Sequence, residues 1–263
     1  MSVPPQAYLA EQLAGEAVNV HVLVPRGQNP HNYEPTPQQI MALGRARLYF
    51  RTGIPLEKRV TAKLADTPAK LRIVDTTKGI DPAQAACQES HEHGPHAHGE
   101  MDPHVWLGPP ELRIMAKNMA EALVAADSAH AAKYRARLDE IQARLDTLDA
   151  ELREALTPFE GKTFFVYHPA FGYFARAYGL KQRAVETGGS QPTPKDLQQL
   201  IAEARSAGVS IIFVQPQFPD ESAAAVADAI KGTVMPLDPM AYNVFDNLRT
   251  IAAQIRAALG ADA

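Results

Sequence analysis

Between Ser128 and Leu156 the sequence has neither glycine nor proline, and this stretch sets the plan of the residues on either side of it. Leu138, Ile141, Leu145, Leu148 and Leu152 recur at spacings of three and four, with Arg, Glu and Asp on the other faces. That is the pattern of an amphipathic helix, and Pro158 marks its end. At the usual rise such a helix is roughly 43 Å long. A coiled-coil arm would use similar residues, but the apolar seam is single and the stretch sits midway along the sequence. A helix packed along the domains before and after it is the better reading.

Strand and helix signals alternate on both sides. In the first half, Val18, Val20, Val22 and Val24 alternate with other residues up to Pro25-Arg26-Gly27, which predicts a short strand. Thr36 and Pro37 predict a helix over roughly 37–45, with Gln39 placed for a capping box. Short strands are expected at 47–50 and 71–74, with helices near 5–14 and 56–65. In the second half, strands are expected at 164–167, 209–214 and 234–237, and helices near 195–207, 221–231 and from about 245. Strands separated by helices point to an α/β fold with parallel sheets built from crossover units. Glu-Pro-Thr-Pro at 34–37 is echoed by Gln-Pro-Thr-Pro at 191–194, a sign that the halves are related.

Composition excludes several classes. Hydrophobic residues make up 46% of the 263 and charged ones 21%, the balance of a globular protein with real cores. A net charge of −4 without a basic patch argues against nucleic acid or anionic membrane as a partner. No apolar run reaches the roughly 20 residues of a transmembrane segment. A lone Cys87 excludes an internal disulfide and leaves its own role open. The opening MSVPPQAYLAEQLAG has no basic and apolar leader pattern, which suits a cytoplasmic protein or one whose signal has been removed.

Four side chains stand out as ligands for one metal ion: His31 in PHNYEPTP, His104 in DPHVWL, His168 in YHPAFGYFA and Asp238 in PLDPMA. Neutral imidazole and carboxylate suit a borderline dication such as zinc, and four of them complete a tetrahedron. His31 follows the valine segment, while His168 and Asp238 directly follow predicted strands, and ligands gather at the carboxyl ends of parallel strands. Singly, a histidine after a strand is more often a surface or capping residue, and Asp238 before Pro239 suits an ordinary turn. The joint pattern is what carries the metal reading, with two ligands from each half and the ion expected where the halves meet. Tyr33, Glu34 and Trp106 are expected around the ligands rather than among them. A stretch over roughly 88–100 adds His91, His93, His96 and His98 among Gly94, Pro95 and Gly99, which reads as a flexible loop able to hold metal weakly.

These motifs, together with VNVHVLVPRGQNPH, QPTPKDLQQLI and IIFVQPQF, resemble those of the zinc- and manganese-binding solute receptors of ABC importers, over nearly the whole sequence. The resemblance implies two lobes, each with a small parallel sheet flanked by helices, joined by one long linking helix. It divides the protein into 1–127, a linker helix at 128–157, and 158–263. It places His31, His104, His168 and Asp238 on the family's ligand positions. It implies a receptor without enzymatic activity, expected as a monomer, periplasmic or lipid-anchored outside the cell, which passes its ion to a membrane permease. The family's first strand precedes the Ser-Pro segment and is almost absent here, which implies a trimmed start and a missing export signal.

Manganese receptors of that family tend to pair two histidines with two carboxylates, whereas zinc receptors use three histidines. Imidazole favours zinc and harder oxygen ligands favour manganese, so Zn(2+) is the expected cargo and Mn(2+) the alternative. A zinc hydrolase would need an open coordination position and a general base, and no HExxH motif is present. A metal-binding adhesin or storage protein on the same scaffold is the remaining rival.

Overall fold

The computed structural model describes residues 1–64, 71–81, 102–186, 193–218 and 221–261. The histidine-dense loop at 88–100 and Cys87 lie outside the described residues. The protein divides into two compact units. The first comprises Met1–Asp81, Val105–Asp149 and Met240–Phe245, and the second Pro82–His104, Ala150–Pro239 and Asp246–Ala263.

The first unit opens with α1 (Pro4–Ala14), whose prolines occupy the first turn, where a missing N–H costs no hydrogen bond. α2 (Pro37–Gly44) begins as its sequence predicts. The Gln39 N–H donates to Thr36 Oγ1, and the Gln39 side chain takes the Thr36 N–H at 2.8 Å. β1 (Leu48–Arg51) and β2 (Arg72–Asp75) pair in parallel, with Leu48 opposite Arg72 and Arg51 opposite Asp75. α3 (Pro55–Leu64) lies between them in sequence. The turn from β1 into α3 needs Gly53, whose φ of +95° is open to glycine at little cost. Its N–H donates to the buried Glu57 carboxylate at 2.7 Å, which also receives the Thr52 N–H and the Ser2 hydroxyl. Burial pushes the Glu57 carboxyl pKa up against these donors. The core is built from α1, α4 (Pro109–Ala126) and the sheet, with Leu9, Leu13, Ile54, Leu56, Trp106 and Met115 fully enclosed.

The valine segment departs from expectation. Residues 18–24 form no strand, although Leu23 N–H donates to Met1 C=O and Val24 N–H to Ser2 C=O, each at 3.0 Å. A strand needs a backbone neighbour along its length, and among the described residues this segment has backbone bonds only to Met1 and Ser2. The Gln39 side chain donates to Leu23 C=O at 2.8 Å. A cavity of about 630 Å³ is lined by Val18–Leu23 on one side and by Leu48 and Phe50 of β1 on another. Among the described residues, no strand pairs with Val20 or Val22, although both carry the strand pattern.

α5 (Ala131–Leu156) is the long helix, preceded by a 3-10 turn at Ser128–His130. Of the seam read from the sequence, Ile141, Leu145, Leu148 and Leu152 are buried and Leu138 is half-buried, and Leu156 extends the buried face. Up to Asp149 the helix belongs to the first unit, and from Ala150 to the second.

The second unit holds a parallel sheet of order β4-β3-β5-β6, formed by Lys181–Ala184, Thr163–Val166, Ile211–Val214 and Thr233–Pro236. α6 (Gly172–Ala177), α7 (Pro194–Ser206), α8 (Glu221–Ile230) and α9 (Val244–Ala261) complete the described secondary structure. Phe165, Tyr167, Val185, Leu200, Ile212 and Val226 form one buried cluster. α7 starts with a capping box between Thr193 and Asp196, the same device that opens α2. The Thr-Pro echo in the sequence thus marks two helix starts of one kind. β4 and α6 are additions to the sequence reading. β4 reads Lys-Gln-Arg-Ala, without the apolar run that announces a buried strand, because it lies at the sheet edge. There its Arg183 pairs with Glu203 of α7 at 2.7 Å.

Candidate metal centre

His168 lies two residues beyond the end of β3, where the sheet's backbone pairing runs out. Tyr167 N–H still donates to Phe213 C=O at 2.7 Å. At His168 the partner is a side chain: its N–H donates to Gln215 Oε1 at 3.0 Å, and Gln215 Nε2 donates to its C=O at 2.9 Å. The fully buried Gln215 amide thus continues the ladder by one rung and fixes the backbone that carries the ring. The ring stacks on Phe218 with centroids 4.6 Å apart and planes 20° apart. Nδ1 meets Glu186 Oε2 at 2.7 Å, and both residues are buried. Glu186 reaches this place through β4, whose Ala184 pairs with Val166, after which Glu186 N–H donates to Tyr167 C=O at 2.9 Å.

His104 is built on the same principle by a different local structure. Asp102 Oδ1 accepts the His104 N–H at 2.9 Å, closing a turn within Asp-Pro-His, and meets the His104 Nδ1 at 2.7 Å. Tyr173 OH donates to the Asp102 C=O at 3.2 Å. The His104 and His168 rings meet edge to face with centroids 5.2 Å apart, and ligating nitrogens of the two lie within 4.8 Å of each other. A carboxylate on Nδ1 takes that nitrogen's proton as a hydrogen bond, so Nε2 carries the lone pair. A carboxylate behind each imidazole, buried for Glu186 and part-buried for Asp102, is the arrangement that orients histidines on a metal and raises their basicity.

Burial pushes the His168 pKa below the ordinary imidazole value, opposed by the hydrogen bond to Glu186, and His104 lowers it further. The ring is accordingly held neutral, the form a metal accepts.

Asp238 follows β6 in the same unit. Its backbone carbonyl accepts from Asn247 Nδ2 at 2.8 Å, and its Oδ1 accepts from Gln217 Nε2 at 2.8 Å. One short turn, 215–218, therefore touches both the His168 and the Asp238 segments. His31 lies in the first unit, half-buried, with its N–H on Asn29 Oδ1 at 2.9 Å. Of the residues expected around the ligands, Trp106 is fully buried two residues after His104. Tyr33 OH donates to Gln39 Oε1 at 3.0 Å, and Glu34 is exposed. Asp102 lies within DPHVWL, and Gln215, Gln217 and Phe218 lie within IIFVQPQF. The motifs contain these residues without giving them a role, whereas Glu186 does not stand out in the sequence. His91, His93, His96 and His98 lie outside the described residues.

Comparison with known proteins adds a family. The family model described as zinc-uptake complex component A, periplasmic (ZnuA), matches residues 1–258. A putative metal-binding protein of Chlamydia muridarum is 31% identical over 255 residues, covering 96% of this chain and 88% of that protein. The manganese ABC transporter substrate-binding lipoprotein PsaA of Streptococcus pneumoniae is 31% identical over 216 residues, covering 80% of this chain and 68% of its own length. Among solved structures, a crystal structure of ZnuA superposes with a TM-score of 0.89 at 35% identity, covering 98% of this chain and 97% of the other. A zinc-bound deletion mutant of ZnuA matches at the same TM-score of 0.89 and 35% identity, covering 98% and 95%.

Proposed function

This chain belongs to the periplasmic zinc-uptake component A family, the metal-binding solute receptors of ABC importers, and we propose that zinc is the ion it carries. Members of the family are substrate-binding receptors and not enzymes, so the task of the site is to capture an ion and give it up to a permease.

In this reading His31, His104, His168 and Asp238 hold the ion as three imidazoles and one carboxylate. The observation that carries it is the pair of buried imidazoles, each with Nδ1 on a carboxylate, whose ligating nitrogens lie within 4.8 Å of each other. Three neutral donors and one carboxylate leave a bound dication with a net charge of about +1, which Asp102 and Glu186 offset from behind the rings. An imidazole-rich set favours zinc over manganese. The zinc-bound ZnuA mutant supports the same choice. The manganese name of the streptococcal relative supports the second reading, manganese or both ions.

The direct test is isothermal titration of zinc into single variants. His31→Ala, His104→Ala, His168→Ala and Asp238→Ala should each weaken binding by about 100-fold or more, because a missing ligand opens the tetrahedron. A variant that retained full zinc affinity would remove its residue from the set.

A further inference from the structure

We propose that Tyr33 is a positioning residue that holds the His31 turn in place and so slows release of the bound ion. This rests on His31 being a ligand, as proposed for the zinc site.

Residues 25–35 lie between the valine segment and α2 with neither helix nor strand, so His31 sits on backbone that no ladder holds. The order nearest to it is local. Asn29 Oδ1 accepts the His31 N–H at 2.9 Å, and Asn29 C=O accepts the Tyr33 N–H at 3.1 Å. Asn29 thus closes 29–33 into one turn, in which His31 goes where Tyr33 goes. A turn closed on itself can still swing as a unit.

Tyr33 ties that turn to two helices. Its hydroxyl donates to Gln39 Oε1 of α2 at 3.0 Å, and its C=O accepts from Arg59 Nη2 of α3 at 3.1 Å. Gln39 is itself fixed, with the Thr36 N–H on the same oxygen and Leu23 C=O on its Nε2, each at 2.8 Å. Arg59 is exposed, so water competes with its bond, and the hydroxyl of the half-buried Tyr33 is the firmer hold. That hydroxyl is committed to α2, so its effect on the ion passes through the backbone that carries His31.

A metal ligand on a loose turn gives up part of its binding energy to ordering that turn. It also swings away more often, and an ion that has lost one ligand escapes more easily. With Tyr33 tied, the imidazole stays near its coordinating position and rebinds before the ion leaves.

The test is a double-mutant cycle, with Tyr33→Phe and Arg59→Met each made alone and together with His31→Ala. Zinc affinity is measured by competition against chromophoric chelators, and release by stopped flow into excess chelator. Tyr33→Phe keeps the ring and Arg59→Met keeps the aliphatic stem, so both should fold. Tyr33→Phe is expected to lose about three- to tenfold in zinc affinity, the range of one hydrogen bond, and to release zinc faster by a similar factor. Arg59→Met should act in the same direction and more weakly. Neither change should alter the affinity that remains in the His31→Ala protein, because a residue acting through His31 then has nothing to position. A general packing role would carry over into that background. Wild-type affinity and release in Tyr33→Phe, or a loss of the same size with His31→Ala, would overturn the proposal and leave Tyr33 a support of the α2 cap. His31→Ala alone separates the two layers. If it keeps full zinc affinity, the ligand reading fails and this proposal with it. If it loses zinc while Tyr33→Phe behaves as wild type, only the role of Tyr33 is wrong.

Discussion

His168 shows how much of the candidate centre depends on neighbours that no spacing rule reveals. Its position after an apolar run makes it a candidate from sequence, and the same holds for Asp238. Glu186, 18 residues further on, reaches the ring only because β4 pairs with β3 in the observed register. The polar sequence of β4 hides that strand, and the carboxylate is hidden with it. Glu186→Gln should keep the fold and weaken zinc binding by about 10- to 100-fold, since the amide no longer takes the Nδ1 proton with a full charge. Calorimetry would show this, and an unchanged affinity would refute the supporting role of the carboxylate. The His168 pKa also fixes the sign of the pH response. Burial lowers it, so below about pH 6.5 the unfolded protein binds the proton more readily than the native one. Metal-free stability contributed by this residue is therefore present above the ordinary imidazole value and is lost as pH falls toward the lowered native value. Zinc and protons compete for the same nitrogens, so apparent zinc affinity should fall from about pH 7 to about pH 5. Titrations at several pH values check this, and a flat profile would contradict imidazole ligation.

The elements are legible where local physics dominates and lost where pairing does. α5 is readable because its seam of Ile141, Leu145, Leu148 and Leu152 has one period and no breaker, and all four are buried. α2 and α7 are readable from Thr-Pro starts, and both carry the predicted kind of cap. Thr36→Ala should therefore cost about 1 kcal/mol of stability in chemical denaturation. Leu145→Ala, in the middle of the seam, should cost about 2–5 kcal/mol because it leaves a cavity under a fully buried side chain. A cost below that of the cap change would mean that the seam is not packed. The valine segment shows the opposite limit. Alternation states what a strand would bury, but a ladder also needs a backbone neighbour, and among the described residues only Met1 and Ser2 give it backbone bonds.

At the scale of the whole molecule, the two α/β units, their parallel sheets and the metal-receptor family agree with the resemblance read from the motifs. The candidate ligands are legible because each sits in its own proline-marked motif. The residues that orient them are not, because they arrive through strand order and turn geometry. The histidine-dense loop carries a separate expectation. Deleting 90–99 should leave one tight zinc per protein molecule and remove only weaker equivalents, as metal analysis after dialysis would show. The proposed function is that of a receptor for one zinc ion held by three imidazoles and a carboxylate. It is tested most directly by dialysing the metal-free protein against equal concentrations of zinc and manganese and measuring the metal retained per molecule. One tightly held zinc with little manganese is expected, with loss of that zinc in His168→Ala. Retention of manganese in preference to zinc, or a full zinc equivalent in the His168 variant, would contradict it.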